Sequence, residues 1–358
     1  MTGAVLVTGG FGLVGSQVVA RLTADGRRVV VADLDTPANR KKVAALPDGV
    51  DVRWADLTDA GAVDRLVSEV SPSVIVHLAA VIPPPLYRNP GLARKVNVDA
   101  TMALVRAAEA QPKPPRFVQA SSNAVYGSRN PHRVTDVVRA DTPPRPFELY
   151  SNTKFEAEEF VRASSLDWVV LRLGGVLSPN FSALPLTTDG IYIESALPTD
   201  GRIHTVDVRD VAAAFAAATT ADVVGEILLI AGDDSHKLRQ KDVGAALAAA
   251  LGLPGVLPEG RPGDPENDNG WFLTDWMDTA RAQEALAFQH HSWPSMLAEM
   301  SEKMGWKRYP LRLIAPLARV FLARRAAYRD APGMYADLWG AIAKRLGDPC
   351  LSTEGTQS

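Results

Sequence analysis

Cysteine is almost absent: the single one among 358 residues is Cys350, in a polar stretch near the end of the sequence. An intramolecular disulfide and a cysteine-built zinc centre are both excluded, no metal site is expected, and a reducing, cytoplasmic setting is expected. Long hydrophobic runs are missing as well. The first apolar stretch, residues 4–7, gives way to glycines, too short for a secretory leader. Nothing approaches the roughly 20 apolar residues of a membrane span. Neither sign of charge is in large excess, with a formal net charge of -3 and a pI near 6.1, so nucleic acid is not an expected partner. No repeat recurs at a fixed period, which argues against a solenoid.

What is present is the composition of a globular protein, 46% hydrophobic and 22% charged, enough to build a sizeable core. Short runs rich in valine and isoleucine predict strands at 4–8, 28–33, 50–56, 74–79, 116–121, 168–173 and 226–230. Several are apolar throughout, as strands covered on both faces are. Alanine- and leucine-rich segments of helical period predict helices at 13–24, 60–70, 92–110, 149–163 and 208–219. The alternation predicts an α/β fold, a doubly wound parallel sheet with a small C-terminal substrate lobe. Residues 1–176 and 204–232 are expected to form the nucleotide-binding unit. Residues 177–203 and 233–301 are expected to form the substrate lobe, with 178–202 lacking a clear period and covering the substrate. Residues 302–358 are set apart as a basic helical tail with a polar end. Between 302 and 345, ten basic residues face three acidic ones, a local balance of about +7.

Two groups of residues carry chemistry. The first, Thr8-Gly9-Gly10-Phe11-Gly12-Leu13-Val14-Gly15, follows a predicted strand and opens a predicted helix. Glycines there allow a tight turn and let a pyrophosphate approach the free N–H groups of the helix start, the Rossmann-type dinucleotide fingerprint. Asp33 ends the second strand 18 positions after Gly15, placed to accept hydrogen bonds from ribose hydroxyls and to repel a 2′-phosphate. NAD is therefore expected over NADP, with Arg40, Lys41 and Lys42 as the counterweight. The second group is Tyr150-Ser151-Asn152-Thr153-Lys154. Tyr150 and Lys154, four apart at a helix start, share a face, and an ammonium there should lower the phenol's pKa and make it a usable acid or base. Alone such a pair would read as surface residues. Ser121-Ser122, at the carboxyl end of a predicted strand where open α/β sheets bind ligands, adds a hydroxyl for a reacting oxygen.

With these motifs in order, the chain resembles the extended short-chain dehydrogenase/reductases, the NAD-dependent epimerase/dehydratase group. The resemblance covers roughly residues 1–300. It adds Asp56-Leu57, His77-Leu78-Ala79-Ala80, Asn97-Val98-x-x-Thr101 and Ser121-Ser122-x-x-Val125-Tyr126-Gly127 to the two groups above. It implies that Asp56 and Leu57 flank the adenine and that Leu78, Ala79 and Ala80 line the cofactor. It further implies that Ser122 and Tyr150 contact the reacting oxygen and that Lys154 also holds the nicotinamide ribose. Asn97 is expected to support packing near the site.

Departures from the resemblance shape the expected substrate. The chain has Ser122-Asn123-Ala124 where sugar-nucleotide dehydratases resemble one another in Thr-Asp-Glu, so the carboxylates an elimination needs are missing. It has Arg172-Leu173-Gly174-Gly175-Val176 where the family often shows Arg-Pro-x-x-Val, so a differently shaped nicotinamide end is expected. Only 24 residues separate Pro179 from His204, and Arg202 is nearly the only diphosphate ligand they offer. The loop 81–87, Val-Ile-Pro-Pro-Pro-Leu-Tyr, suits an apolar wall beside the nicotinamide, while Arg88 and Arg145 are candidate anion ligands. The leading expectation is NAD-dependent hydride transfer at a secondary alcohol or ketone of a small or moderately apolar molecule. A nucleotide-sugar epimerase is the enzymatic rival, and an NAD-sensing regulator without turnover the rival of another class. In the tail, Leu313, Leu317, Val320 and Phe321 share a helical face, with Arg312, Arg319 and Arg324 expected away from its centre. Packing on the tail's own domain or on a neighbour in a homo-oligomer is the preferred reading, and contact with an anionic membrane surface the alternative.

Overall fold

The computed structural model describes residues 3–180, 187–329 and 332–350. Residues 181–186 of the expected substrate-covering segment and 351–358 of the tail lie outside them. The strands are β1 (Val5–Thr8), β2 (Val29–Asp33), β3 (Asp51–Trp54), β4 (Val74–His77), β5 (Arg116–Ser122), β6 (Trp168–Leu173), β7 (Gly175–Leu177), β8 (Arg202–Asp207), β9 (Ile227–Ile230) and β10 (Lys237–Arg239). All seven strands read from the sequence join one parallel sheet, in the order β3-β2-β1-β4-β5-β6-β9. Chain order reverses between β1 and β4, which opens a crevice at their carboxyl ends.

The strand pleat sorts the core into two layers. Val5, Val7, Val29 and Val31 face the helices Leu13–Ala24 and Val208–Ala218, whereas Leu6, Val30 and Ile75 face Ala60–Val70 and Ala100–Glu109. Burial on both faces is what makes these strands apolar throughout. The expected single helix at 92–110 is interrupted. It runs as Pro90–Arg94, a wider π turn at Lys95–Asp99, and Ala100–Glu109. Such turns gather at functional sites because they re-aim side chains, and here the turn carries Asn97.

Three expectations are corrected. β8, assigned by sequence to the nucleotide-binding unit from residue 204, pairs instead with β7 and antiparallel with β10 in a separate three-stranded sheet. The stretch read as having no period holds a helix, Thr188–Ala196. Third, the tail is not one appendage. Its helix Leu338–Leu346 packs Leu338, Ile342 and Leu346 with Leu86, Tyr87 and Tyr192 beside the helix Leu149–Ala163, which carries Tyr150 and Lys154.

Two buried histidines tie the layers together and must stay neutral. His77 lies between the Thr8 and Thr101 hydroxyls at 2.6 and 3.0 Å, and burial holds its pKa down to about 3. His204 accepts from the Met277 N–H at 3.2 Å through Nδ1, so Nε2 donates to the Gly232 carbonyl at 3.0 Å, and burial lowers its pKa to about 4. An unfolded histidine takes its proton near pH 6.5. Their contribution to stability is therefore present above pH 6.5 and lost as pH falls from 6.5 toward 4 and 3. At pH 5 the expected loss is about 2 kcal/mol per histidine. Urea unfolding from pH 7.5 to 5 should show stability falling, with a shallower slope in His77→Asn. An unchanged slope in that variant would remove His77 from the account.

Candidate active site

The crevice between β1 and β4 widens into two adjoining cavities. The first, about 420 Å3, is lined by Gly9, Phe11, Gly12, Asp33, Asp56, Leu57, Leu78, Ala79 and Ala80 among others. The second, about 370 Å3, shares Gly9, Gly12, Leu78 and Ala80 and adds Leu13, Gly15, Ser122, Tyr150 and Lys154. Every catalytic and cofactor residue expected from the sequence thus lines one of these two spaces, whereas the candidate anion ligands Arg88 and Arg145 line neither. Gly9 has a φ of +69°, and a Cβ there would come within 2.8 Å of the Ala79 backbone. A Cβ at Gly15 would lie 2.1 Å from the Gly9 carbonyl oxygen. The first turn of Leu13–Ala24 carries no side-chain cap and no acidic residue, leaving its N–H groups for an anion.

Asp33 closes the far end of the first cavity. Its carboxylate accepts from the Phe11 N–H at 3.0 Å, the Leu34 N–H at 2.8 Å and the Asn39 amide at 3.2 Å. Of the three nearby cations, Arg40 is bound by two hydrogen bonds to Asp35, at 2.5 and 2.7 Å. Lys42 is the one that lines the cavity, donating to the Phe11 carbonyl at 2.8 Å.

At the other end, Ser122 closes β5 and lines the same cavity as Tyr150. The Lys154 ammonium is buried and donates to the Ala120 carbonyl at 2.6 Å. The expected lowering of the tyrosine pKa by Lys154 does not occur in this arrangement. Burial pushes Tyr150 up to about 12, with the Glu148 charge adding to the rise and Ser122 opposing it. The lysine instead falls to about 8, because burial outweighs the Glu158 carboxylate. Spacing placed the two side chains on one face, but the ammonium is aimed at the strand.

Contacts of Glu148, Pro349 and Glu158, which sequence reasoning did not weigh, join Asn97 in holding this pair in place. Glu148 caps the catalytic helix, accepting from the N–H groups of Tyr150 and Ser151 at 2.8 and 2.5 Å and from the Tyr87 hydroxyl at 3.2 Å. The segment after the helix Leu338–Leu346 joins the same place, where the Leu149 N–H donates to the Pro349 carbonyl at 2.9 Å. Glu158, one turn beyond Lys154, accepts from Arg172 at 2.6 to 3.2 Å and from Ser121, and Arg172 also donates to the Tyr126 hydroxyl at 2.7 Å. Asn97 bonds the Val81 backbone in both directions, at 2.7 and 2.9 Å, and reaches Thr153 at 3.1 Å, pinning the proline loop to the catalytic helix. Of that loop, Ile82 faces the catalytic cavity, whereas Leu86 and Tyr87 turn away into the cluster with Leu338–Leu346.

The arginines that might meet an anionic substrate are engaged. Arg88 pairs with Asp189 at 2.6 Å. Arg202 is buried beside Asp275 at 3.6 Å and lies over the Trp276 ring. Arg261, in the loop after residue 258, stacks on Tyr328 and donates to the Pro332 and Tyr328 carbonyls. Arg145 is exposed and lines neither cavity.

Comparison with known proteins extends this picture. The family model described as "NAD dependent epimerase/dehydratase family" matches residues 5–231, more than half of the chain. The chain belongs to that family. Among curated relatives it is 30% identical over 243 residues to dTDP-L-rhamnose 4-epimerase of Burkholderia thailandensis, covering 56% of this chain and 65% of that protein. It is 31% identical over 183 residues to probable UDP-arabinose 4-epimerase 3 of Arabidopsis thaliana, covering 48% and 44%. The chain therefore spans less than two thirds of the length of these relatives. Among solved structures, UDP-glucose 4-epimerase of Thermus thermophilus in complex with NAD superposes with a TM-score of 0.68 at 25% identity, covering 84% of this chain and 98% of that one. The family's dinucleotide fits the residues present here. Gly9 and Gly15 leave a cradle that side chains would fill, an uncapped helix start faces it, and the carboxylate of Asp33 stands at the ribose end.

Proposed function

We propose that this family member is a cytoplasmic oxidoreductase that transfers a hydride at a secondary alcohol or ketone carbon of a small, moderately apolar molecule. The observation that carries the substrate class is the engagement of Arg88, Arg202 and Arg261 by partners within the protein. A diphosphate loses hydration on binding and needs several donors to recover that cost. Gly9, Gly12 and Gly15 would cradle the dinucleotide's pyrophosphate, Asp33 its adenosine ribose, and Lys154 its nicotinamide ribose. When bound, it supplies the hydride acceptor or donor. Ser122 orients the substrate oxygen. Tyr150, protonated at neutral pH, would donate to a carbonyl oxygen in reduction, leaving a phenolate that solvent reprotonates, and oxidation is the reverse, with the phenolate taking the hydroxyl proton. Elimination of water is disfavoured, since no carboxylate is among the described residues lining the catalytic cavity.

A second reading, epimerisation of a nucleotide sugar at the same residues, is favoured by the epimerases among the relatives. Bookkeeping of the cofactor separates the two. A panel of secondary alcohols and ketones, followed at the NADH absorbance band, should show net formation or consumption of NADH by the wild type. NADP should serve more weakly, and a preference for it would make Lys42 a phosphate ligand. Conversion of a UDP- or dTDP-sugar to its epimer with no net change in NADH would overturn the first reading in favour of the second.

A further inference from the structure

The helix Arg308–Ala323 does not bury the apolar face that its sequence provides. Of its residues only Ala315 is buried, on a narrow inward stripe with the half-buried Leu311, Ala318 and Leu322. The opposite side carries Leu313 and Leu317, 81% and 74% exposed, together with exposed Tyr309, Val320 and Phe321, and Trp306 just before the helix. Of the preferred expectation, packing on its own domain is thus not met by this face, and packing on a neighbouring copy is an outcome of the test below. Cations surround the same helix. Eight lysines and arginines and no acidic residue occur from 303 to 329. Among the described residues no helix is long and apolar enough to cross a membrane.

From these observations we infer that Arg308–Ala323 is an interfacial helix, docking the protein on the surface of an anionic lipid bilayer. An exposed apolar face of this size on a charged protein marks an interaction site. Three features select the bilayer as occupant. The apolar residues recur at positions 313, 317, 320 and 321, one continuous stripe along the helix. Trp306 and Tyr309 gather at its start, the residue types whose amphipathic rings favour the headgroup level. Lys307, Arg312, Arg324 and Arg325 add positive charge along and beyond it, which an anionic surface attracts. A two-fold pairing of this helix with a second copy would instead bring like charges together. The inference is independent of the substrate class proposed above.

The test is co-sedimentation of the full chain with vesicles of phosphatidylcholine alone or mixed with phosphatidylglycerol. Binding should appear with the mixed vesicles, weaken in high salt and be slight with phosphatidylcholine alone. Leu317→Glu with Phe321→Glu should lower the partition coefficient at least about tenfold, while NADH affinity stays at its wild-type value, which reports an intact fold. Arg312→Gln with Arg324→Gln should reduce the preference for the anionic vesicles. Absence of binding to mixed vesicles, or binding unchanged by the glutamate pair, overturns the inference. So does a concentration-dependent dimer that the glutamate pair dissolves and that shows no vesicle binding, which would assign the face to a second copy.

Discussion

Tyr150→Phe should lower kcat by about two to four orders of magnitude while leaving NADH affinity close to that of the wild type. Tyr150 lines the same cavity as Ser122, where its phenol is proposed to exchange a proton with a substrate oxygen. The substitution removes that oxygen and keeps the ring, so the cluster with Leu149 and Tyr87 is retained. Lys154→Ala should behave differently, weakening cofactor binding as well as turnover, because Lys154 lines the cavity and is proposed to hold the nicotinamide ribose. Single-turnover measurement with saturating cofactor separates the two effects. A Tyr150→Phe enzyme with wild-type kcat would remove the tyrosine from proton transfer.

The second large effect is on stability. Glu158 and Arg172 are 0% and 1% exposed and bound by three hydrogen bonds, with Ser121 and Tyr126 completing the network. Glu158→Ala leaves the guanidinium buried without its counter-charge, and the expected loss is about 3–5 kcal/mol, or a fall in Tm of roughly 10 °C. Glu158→Gln, which keeps the volume and part of the bonding, should lose less and serves as the foldable comparison. Ser121 neighbours Ser122, so the network also fixes the strand end that presents the hydroxyl proposed to orient the substrate oxygen. A loss below about 1 kcal/mol in Glu158→Ala would mean that Arg172 finds another partner or water.

Much of this was legible in the sequence, and the reasons are local. The helices Leu13–Ala24, Ala60–Val70 and Leu149–Ala163 begin and end where the apolar period starts and stops, and Asp59 caps the second of them. The parallel strands announced themselves by being apolar on both faces. The cofactor residues could be read because glycine spacing and strand ends are short-range signals. What escaped depends on distant contacts. β8, Arg-Ile-His-Thr-Val-Asp, is buried throughout despite four polar residues, because Thr205 and His204 find partners in His236, Gly232 and Met277. The tail helix Leu338–Leu346 reaches the catalytic neighbourhood only through tertiary packing. Glu148 as a helix cap was hidden, since glutamate is not a favoured residue at that position. The tyrosine pKa went the wrong way because a four-residue spacing fixes a shared face, not the direction of a lysine chain.

The central claim is that the catalytic cavity serves a substrate without a nucleotide diphosphate. Saturation-transfer NMR with UDP- and dTDP-sugars in the presence of NAD tests it most directly. The arrangement of Arg88, Arg202 and Arg261 leads us to expect no transfer that a second nucleotide sugar displaces. Specific, competable binding of any of these sugars at micromolar concentration would contradict the account and make epimerisation the function.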